Sequence, residues 1–350
     1  MPRRSARYKR RSHNNRIKKY LGVAGLFIVF LLFLSVYAFY KQFHQSYISA
    51  SSVGSNDFSD RDFYSVVLLS SQNSFQDSPL IIDKIKILFV STKHDNFTVY
   101  EIPTDFEVDM PGKLGNEHIS KSFALGTMEC GTVGDIPNGE CFTKGIEFTL
   151  SNLENITGNK IDRFVLVEPS LEDFTNEILI NSNPRKFFNR PEIKNIKKSL
   201  KTDMTFSDFL HFYSLIRSYS KKDVVHKPYS SADQFDAFIR EQTFDSNIAE
   251  EKLSIAVLNG TSIPGQAGFG SRVIKNRGGH VVSTDNAVNN YEESYIIASN
   301  KEDLTVKYLA DFFGIENVYN KGEISAVASE SVIDRTDVTL ILGLDNGSKY

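Results

Sequence analysis

Cysteine and histidine are scarce in this chain of 350 residues, which has two cysteines and seven histidines. Two cysteines cannot supply a four-cysteine zinc site, and the histidines form no H-x-x-x-H pair. No order of Ser, His and Asp can be assigned to one catalytic site, and a G-x-S-x-G nucleophile elbow is absent. These absences argue against a zinc enzyme and against an α/β-hydrolase.

Acidic residues are missing from the first forty positions. Residues 1–20 hold nine Lys and Arg, cannot bury an apolar face, and are predicted to form a solvated basic tail. Residues 21–40 carry no charge, and twenty helical residues rising 1.5 Å each span the roughly 30 Å hydrocarbon core of a bilayer. This run predicts one transmembrane helix embedded in membrane lipid. The excess of Lys and Arg before it predicts a cytoplasmic N-terminus and an extracytoplasmic remainder.

Two other interpretations of this N-terminal region are less favoured. The apolar run is longer than the core of a typical signal peptide, and the small residues Ser49 to Ser51 lie well downstream of it, which favours an uncleaved anchor. A basic tail can attract nucleic acid, but directly before a membrane helix it indicates topology, and no nucleic-acid partner is predicted.

The portion beyond the tail is acidic. The whole chain has a formal net charge of −3 and the first twenty residues carry nine positive charges, so the remainder has a net charge of −12. Such a surface does not capture acidic polymers by bulk charge, although it leaves room for a local basic groove.

Cys130 and Cys141 flank a segment that contains Gly, Pro and Asn and can close into a loop. Outside the membrane the redox conditions permit a disulfide, and we predict that the two residues are bridged. A zinc site is disfavoured, because no second thiol pair or histidine pair lies nearby.

Composition divides the outer portion into four segments. Residues 41–60 are rich in Ser and are predicted to be a spacer. Residues 61–225 alternate β-branched apolar runs with helical patterns, which predicts an α/β layered domain. Residues 226–251 are polar and acidic, and are predicted to be a linker with one short helix from Ala232 to Gln242. Residues 252–346 show the order βαββαβ, and right-handed crossovers would place both helices on one face of a four-stranded sheet.

Both outer domains resemble the LytR–CpsA–Psr family of bacterial cell-envelope proteins. Three segments carry the C-terminal resemblance, to the accessory LytR C-terminal domain: IAVLNGTSIPGQA from Ile255, GGHVVSTDNA from Gly278, and TDVTLILGLD from Thr336. The first domain resembles the family's catalytic domain in DKIKILFVS from Asp83, FTVYEIPTD from Phe97, and HISKSFALG from His118.

The resemblance implies a reaction whose residues are only partly present. Active members transfer glycopolymers from a polyprenyl-pyrophosphate carrier to the cell wall, using arginines that hold the pyrophosphate and acids that bind a divalent metal. Ile81 and Thr104 stand where the family has arginine, and His118 stands where it usually has lysine. Asp83 and Asp105 are the acids that remain.

Two hypotheses follow. Isoleucine and threonine cannot replace bidentate guanidinium contacts, so the favoured hypothesis is a non-catalytic protein, without a cofactor, that binds wall polymer or an envelope protein. The alternative is a divergent phosphotransferase in which Asp83, Asp105, His118 and the basic stretch from Arg185 to Lys201 rebuild the phosphate site around Mg²⁺. Without phosphate or arginine partners, acids at strand ends are more often turn residues than metal ligands.

A glycine-containing stretch from Gly260 to Gly270 follows a predicted strand and opens a helix, as phosphate-binding loops do. It has no Walker lysine and lacks the third glycine of a dinucleotide fingerprint. We therefore predict a structural turn there rather than a nucleotide site.

Overall fold

The computed structural model describes residue 37 and residues 63–75, 77, 79–110, 114–130, 139–180, 199–219, 224–323 and 330–347. The predicted basic tail, transmembrane helix and spacer, residues 1–60, lie outside the described residues apart from Tyr37. Within the described ranges, no helix combines the length and the apolar character needed to cross a membrane.

A six-stranded sheet forms the centre of the first domain. Its strands are β1 (Phe63–Ser71), β2 (Ile82–Ser91), β3 (Asn96–Ile102), β6 (Arg163–Val167), β7 (Leu200–Thr202) and β8 (Val224–Pro228). They lie in the order β7-β6-β1-β2-β3-β8, with β1, β2 and β3 antiparallel and with β6 and β8 parallel to β1 and β3. A separate hairpin pairs β4 (Glu107–Met110) with β5 (Gly115–His118).

Helices cover both faces of this sheet. One face carries α1 (Ser122–Thr127), α2 (Glu140–Thr157) and α5 (Ala232–Thr243), and the other carries α3 (Pro169–Leu179) and α4 (Phe206–Ser218). Because successive strand residues point to opposite faces, the apolar runs of β1 and β2 supply both cores: Val67 and Phe89 pack on one side, and Val66 and Leu88 on the other. The predicted α/β layered architecture is confirmed for these residues.

The second domain has five strands rather than the four predicted. They are β9 (Ser254–Asn259), β10 (His280–Asn286), β11 (Tyr295–Ala298), β12 (Val318–Asn320) and β13 (Val338–Leu342), in the order β10-β9-β13-β11-β12. The helices α7 (Gln266–Arg277) and α8 (Leu304–Phe313) share one core on one face of this sheet, as predicted. A short helix, α9 (Leu344–Gly347), follows β13. The strand missed by the sequence analysis, β12, has only three half-buried residues and therefore no alternating apolar pattern.

Residues 226–251 were predicted to be a linker with one short helix over residues 232–242. The helix is present, but the prediction of a linker is wrong. They contain most of β8, which pairs with β3, then α5, and then α6 (Ser246–Glu251). Phe235, Phe238 and Ile239 of α5 are buried in the core of the first domain. Their spacing of three and four residues is a helical apolar stripe, but the polar residues around it dominate the average composition. The first domain therefore extends past its predicted end at residue 225.

The two domains are in direct contact through α5 and α7. The Arg272 guanidinium of α7 binds the Asp236 carboxylate of α5 through Nε at 3.0 Å and Nη2 at 2.8 Å. The same guanidinium donates to the backbone carbonyls of Asn155 at 2.5 Å and Ile156 at 3.3 Å, in the last turn of α2. One arginine thus joins two elements of the first domain to the second.

Candidate functional site

The acids that the phosphotransferase alternative assigns to a metal lie at one end of the antiparallel pair β2 and β3. Ile85 is paired with Ile102. Asp83, the second residue of β2, and Asp105, three residues after the end of β3, therefore lie at the same end of the pair. Both carboxylates are exposed. Neither forms a hydrogen bond or an ion pair with another described residue.

We call the turn after β3, residues 103–106, together with the adjoining start of β2, the corner after β3. His118 lies at this corner. It is the last residue of β5, is paired with Glu107 across the hairpin, and is exposed. The backbone after it is fixed by hydrogen bonds from Ile119 N to Phe106 O at 2.9 Å and from Ser120 N to Thr104 O at 3.1 Å. The structure therefore places all three predicted site residues around the turn that follows β3.

Lys84, next to Asp83 in the sequence, and Arg163 are paired with carboxylates other than those of Asp83 and Asp105. Lys84 Nζ lies 3.0 and 2.9 Å from the two carboxylate oxygens of Glu172, and this hydrogen-bonded partner raises the pKa of Lys84 above its ordinary value. The described part of the first domain holds three arginines, Arg163, Arg217 and Arg240, and none of them pairs with Asp83 or Asp105. Arg163 Nε instead binds Asp208 Oδ2 at 3.1 Å.

The residues at the corner do not fit a divalent metal. Within the described ranges, no three or more His, Cys, Asp or Glu side chains come together in a group that could hold a metal ion. Ile81 and Thr104 are half-buried beside Asp83 and Asp105, and they supply no cation to neutralise a pyrophosphate. Of the predicted basic stretch, only Lys201 among the cations is described, and burial lowers its pKa. Arg185 and Arg190 lie outside the described residues.

Cys130 and Cys141 form a disulfide in the structure, with their Cα atoms 5.7 Å apart. Cys130 ends a short 3-10 helix after α1, and Cys141 is the second residue of α2. The disulfide therefore holds together the two ends of the segment between the 3-10 helix and α2.

The stretch after β9 is a structural turn. Asn259 Oδ1 accepts hydrogen bonds from the backbone N and the Oγ1 of Thr261, at 3.0 and 2.8 Å, and Asn259 Nδ2 donates to Ile263 O at 2.9 Å. A Cβ atom at Gly260 would lie 2.9 Å from Leu342 O, so this position requires glycine for a close approach of two backbones. The polar groups of the turn form hydrogen bonds with each other, which agrees with the prediction of a structural turn.

A cleft between the two domains was not predicted from the sequence. It encloses about 330 Å³, and we call it the interdomain cleft. Its charged and aromatic lining includes Lys93, Lys160, Asp245, Arg277, Tyr308 and Phe312. These residues come from distant parts of the chain, so no motif or spacing could have assembled them. The sequence analysis indicated only that the acidic outer portion is compatible with a local basic groove.

The C-terminal domain matches a known family. Residues 252–345 match the family described as LytR cell envelope-related transcriptional attenuator. This match confirms the LytR C-terminal-type domain predicted over 252–346. No curated protein matches the chain in sequence.

Several solved structures are similar to this chain over about half of its length. The Lin1025 protein from Listeria innocua is 16% identical, with 49% of this chain and 84% of that chain covered and a TM-score of 0.34. TagT bound to LIIa-WTA is 15% identical, with 53% and 87% covered and a TM-score of 0.36. The LytR-CPS2A-psr family protein YwtF (TagT) with bound octaprenyl pyrophosphate lipid is 17% identical, with 53% and 83% covered and a TM-score of 0.33.

Proposed function

We propose that this chain is an extracytoplasmic cell-envelope protein that binds wall polymer or an envelope protein without catalysing glycopolymer transfer. The C-terminal family match supports the connection with the cell envelope. The uncharged run of residues 21–40 behind a basic tail supports a membrane anchor with both domains outside.

The proposal that the chain does not catalyse transfer is supported by the residues at the corner after β3. Transfer from a pyrophosphate carrier develops negative charge on the leaving group, and that charge needs arginine or a metal ion nearby. Asp83 and Asp105 are exposed there and form no ion pair with a described residue, and Ile81 and Thr104 occupy the positions where the resemblance expects arginine. Two carboxylates alone repel a pyrophosphate.

The core between the sheet and the helices α1, α2 and α5 supports the same proposal. A polyprenyl chain needs a deep apolar tunnel. Phe89 instead packs with its ring centroid 5.5 to 5.7 Å from those of Phe63, Phe235 and Phe238. This part of the core is filled by the protein's own aromatic rings.

One observation favours the alternative, a divergent phosphotransferase. Asp83, Asp105 and His118 are brought to one corner although they are distant in sequence. An enzyme built on them would release polyprenyl phosphate in the presence of Mg²⁺, and Asp105→Ala would abolish that release.

Binding to wall polymer is tested by sedimentation of the full chain, purified in detergent, with bacterial cell walls. One sample of walls carries its glycopolymer, and a second has been stripped of it by acid. We expect the protein to sediment with the intact walls and to remain in the supernatant with the stripped walls. Equal sedimentation with both, or with neither, contradicts recognition of the polymer.

A further inference from the structure

We propose that an exposed apolar stripe on α4 docks onto the surface of the lipid bilayer in which the chain is anchored. The inference rests on the membrane anchor of the proposed function and adds a second, peripheral contact between the first domain and the membrane. It involves neither the corner after β3 nor the interdomain cleft.

The helix α4 exposes apolar residues in addition to the stripe that it buries. Phe212 and Ile216 are buried in the core of the first domain. Phe206 and Leu210, one turn apart, are 44% and 41% exposed, and two aromatic residues beside them are half-buried. Spacings of three and four residues bring these four side chains together on one side of the helix. We call them the outer stripe: Phe206, Phe209, Leu210 and Tyr213.

The composition of the outer stripe is that of a helix at a membrane surface. Helices that lie in the plane of the membrane interface bury phenylalanine and leucine at the boundary between headgroups and acyl chains. Tyrosine is enriched at the same depth, because its ring is apolar and its hydroxyl stays in contact with water. The apolar side chains of the outer stripe therefore fit a lipid surface.

The charges on α4 do not oppose contact with anionic phospholipid. Asp208 is the only acidic residue of the helix. Its Oδ2 lies 3.1 Å from Arg163 Nε and accepts from Thr205 N at 3.0 Å. Arg217, in the last turn, is exposed. Although the outer portion of the chain is acidic, this helix presents a cation and no unpaired carboxylate to the headgroups.

The helix crosses three neighbouring strands of the central sheet. Its first turn binds Arg163, the first residue of β6. In its middle, His211 Nε2 lies 3.3 Å from the hydroxyl oxygen of Tyr64, the second residue of β1. Just after its end, the hydroxyl of Tyr219 donates to the backbone oxygen of Ser91, the last residue of β2, at 3.2 Å. The helix therefore lies across β6, β1 and β2.

All of these contacts lie at the end of the sheet where β1 begins. In the strand register, Arg163 pairs with Val66, and Ser91 pairs with Phe63, the first residue of β1. The chain that comes from the predicted membrane helix enters the first domain at this same end. The second domain docks on α2 and α5, which cover the opposite face of the sheet, and it leaves the outer stripe exposed.

The chain between the predicted anchor and the first domain is short. The uncharged run ends at Tyr40 and β1 begins at Phe63, so 22 residues, 41–62, separate them. Fully extended, they span at most about 80 Å, and a Ser-rich coil of that length has a root-mean-square end-to-end distance of about 26 Å. Docking of a tethered domain is intramolecular, so an apolar surface too small to hold a free protein on lipid is sufficient here.

Quenching of a fluorescent label by lipid tests the docking. Cys130 and Cys141 are the only cysteines of the chain and are bonded to each other, so an added cysteine is the one free thiol. Ser214→Cys places a nitrobenzoxadiazole label one turn beyond Leu210 at an exposed position of α4. Glu101→Cys, at an exposed position near the other end of β3, carries the same label as the control.

The labelled full chain is reconstituted into liposomes that contain phosphatidylglycerol, with and without a phospholipid that carries a nitroxide on its acyl chain. We expect the nitroxide to quench the label at residue 214 by about half and the label at residue 101 by less than about a tenth. This comparison uses the unaltered outer stripe, so it does not depend on how a variant folds.

Variants locate the contact. Phe206→Ser combined with Leu210→Ser replaces two exposed side chains, and it should reduce quenching of the label at residue 214 to the level of the control label. The matched control combines Val288→Ser with Leu304→Ser, two exposed apolar residues of the second domain, and should leave quenching at residue 214 unchanged.

Flotation of the liposomes separates failure of the inference from failure of the anchor. If the full chain does not float with the liposomes, the anchor of the proposed function fails and the inference fails with it. If it floats, equal quenching of the two labels, or quenching in the Phe206 and Leu210 variant that matches the parent, overturns bilayer docking alone. A blue shift of the label at residue 214 without quenching by the nitroxide also overturns it, and would show that a protein surface, such as a second copy of the chain, covers the outer stripe.

Discussion

At the scale of single residues, Ile81 and Thr104 determine what the corner after β3 can do. A guanidinium at either position would offer paired donors to a phosphate. An isoleucine offers no donor, and a threonine hydroxyl offers one without charge. The acids Asp83, at the start of β2, and Asp105, after the end of β3, therefore remain as exposed side chains.

Asp203 is a buried carboxyl group whose ionisation opposes folding. Its Oδ1 accepts from Phe164 N at 2.8 Å, whereas Oδ2 is buried without a partner among the described residues. Burial raises the pKa of Asp203 to about 7. The folded state therefore holds the Asp203 proton more tightly than the unfolded state does. The contribution of this carboxyl group to the free energy of unfolding is fully present below pH 3.8, its ordinary pKa, and is lost as the pH rises to about 7.

We predict that Asp203→Asn removes this pH dependence. Between pH 5 and pH 7 the parent should lose about 2 to 3 kcal/mol of unfolding free energy relative to the variant, since each pKa unit corresponds to about 1.4 kcal/mol. Urea unfolding of both proteins at several pH values measures the difference. Parallel stability profiles for parent and variant over this range would show that Asp203 titrates alike in the folded and unfolded chains.

At the scale of elements, α5 shows why composition misled the prediction of a linker. The helix begins after Ser231, whose hydroxyl accepts from Gln234 N, and it buries one stripe while most of its other residues are exposed. Averaged over 226–251, this gives a polar segment. The apolar spacing of three and four residues carries the correct information, and that pattern predicts a core-facing helix.

Phe235→Ala tests whether α5 belongs to the core. The ring of Phe235 lies 4.7 Å from that of Tyr100 and 5.7 Å from that of Phe89, measured between centroids, and the residue is 1% exposed. Removing it should reduce the unfolding free energy by about 3 to 5 kcal/mol. Glu241→Ala, at an exposed position of the same helix, should change it by less than about 0.5 kcal/mol. A linker helix would give equally small changes for both.

Other elements could be predicted from the sequence to different degrees. The strands β1, β2 and β3 were identified because β-branched apolar residues run through them between turn-like segments. The helices α7 and α8 end where Gly278 and Gly314 take the left-handed conformation that stops a helix, and glycine after an apolar periodic segment is a signal that can be read from the sequence. The edge strand β8 was missed because four of its five residues are exposed and it ends at Pro228.

At the scale of the whole molecule, a charged contact joins the two domains. Arg272 binds Asp236 and two carbonyl oxygens, and both charged side chains are partly buried, at 28% and 22% exposure. The interdomain cleft lies at the same interface. The cleft therefore depends on this docking, and it could not be predicted from either domain alone.

We predict that Arg272→Lys loosens the interface although it keeps the charge. A lysine cannot make the paired contact to Asp236 and reach two carbonyls as well. Hydrogen exchange of the last turn of α2 and of α7 should accelerate about tenfold or more, as expected when about 1.4 kcal/mol or more of local stability is lost. Lys275→Gln on the same helix should leave exchange unchanged. Equal protection in the Arg272 variant and the parent would mean that other contacts hold the domains together.

The central claim is that this chain binds in the cell envelope and does not transfer glycopolymer. The most direct measurement is the release of phosphate or polyprenyl phosphate from a polyprenyl-pyrophosphate substrate by the full chain with Mg²⁺, compared with Asp105→Ala. We predict release no greater than the background without protein, and no difference between parent and variant. Release above background by the parent that is lost in Asp105→Ala would contradict the claim and establish the corner after β3 as an active site.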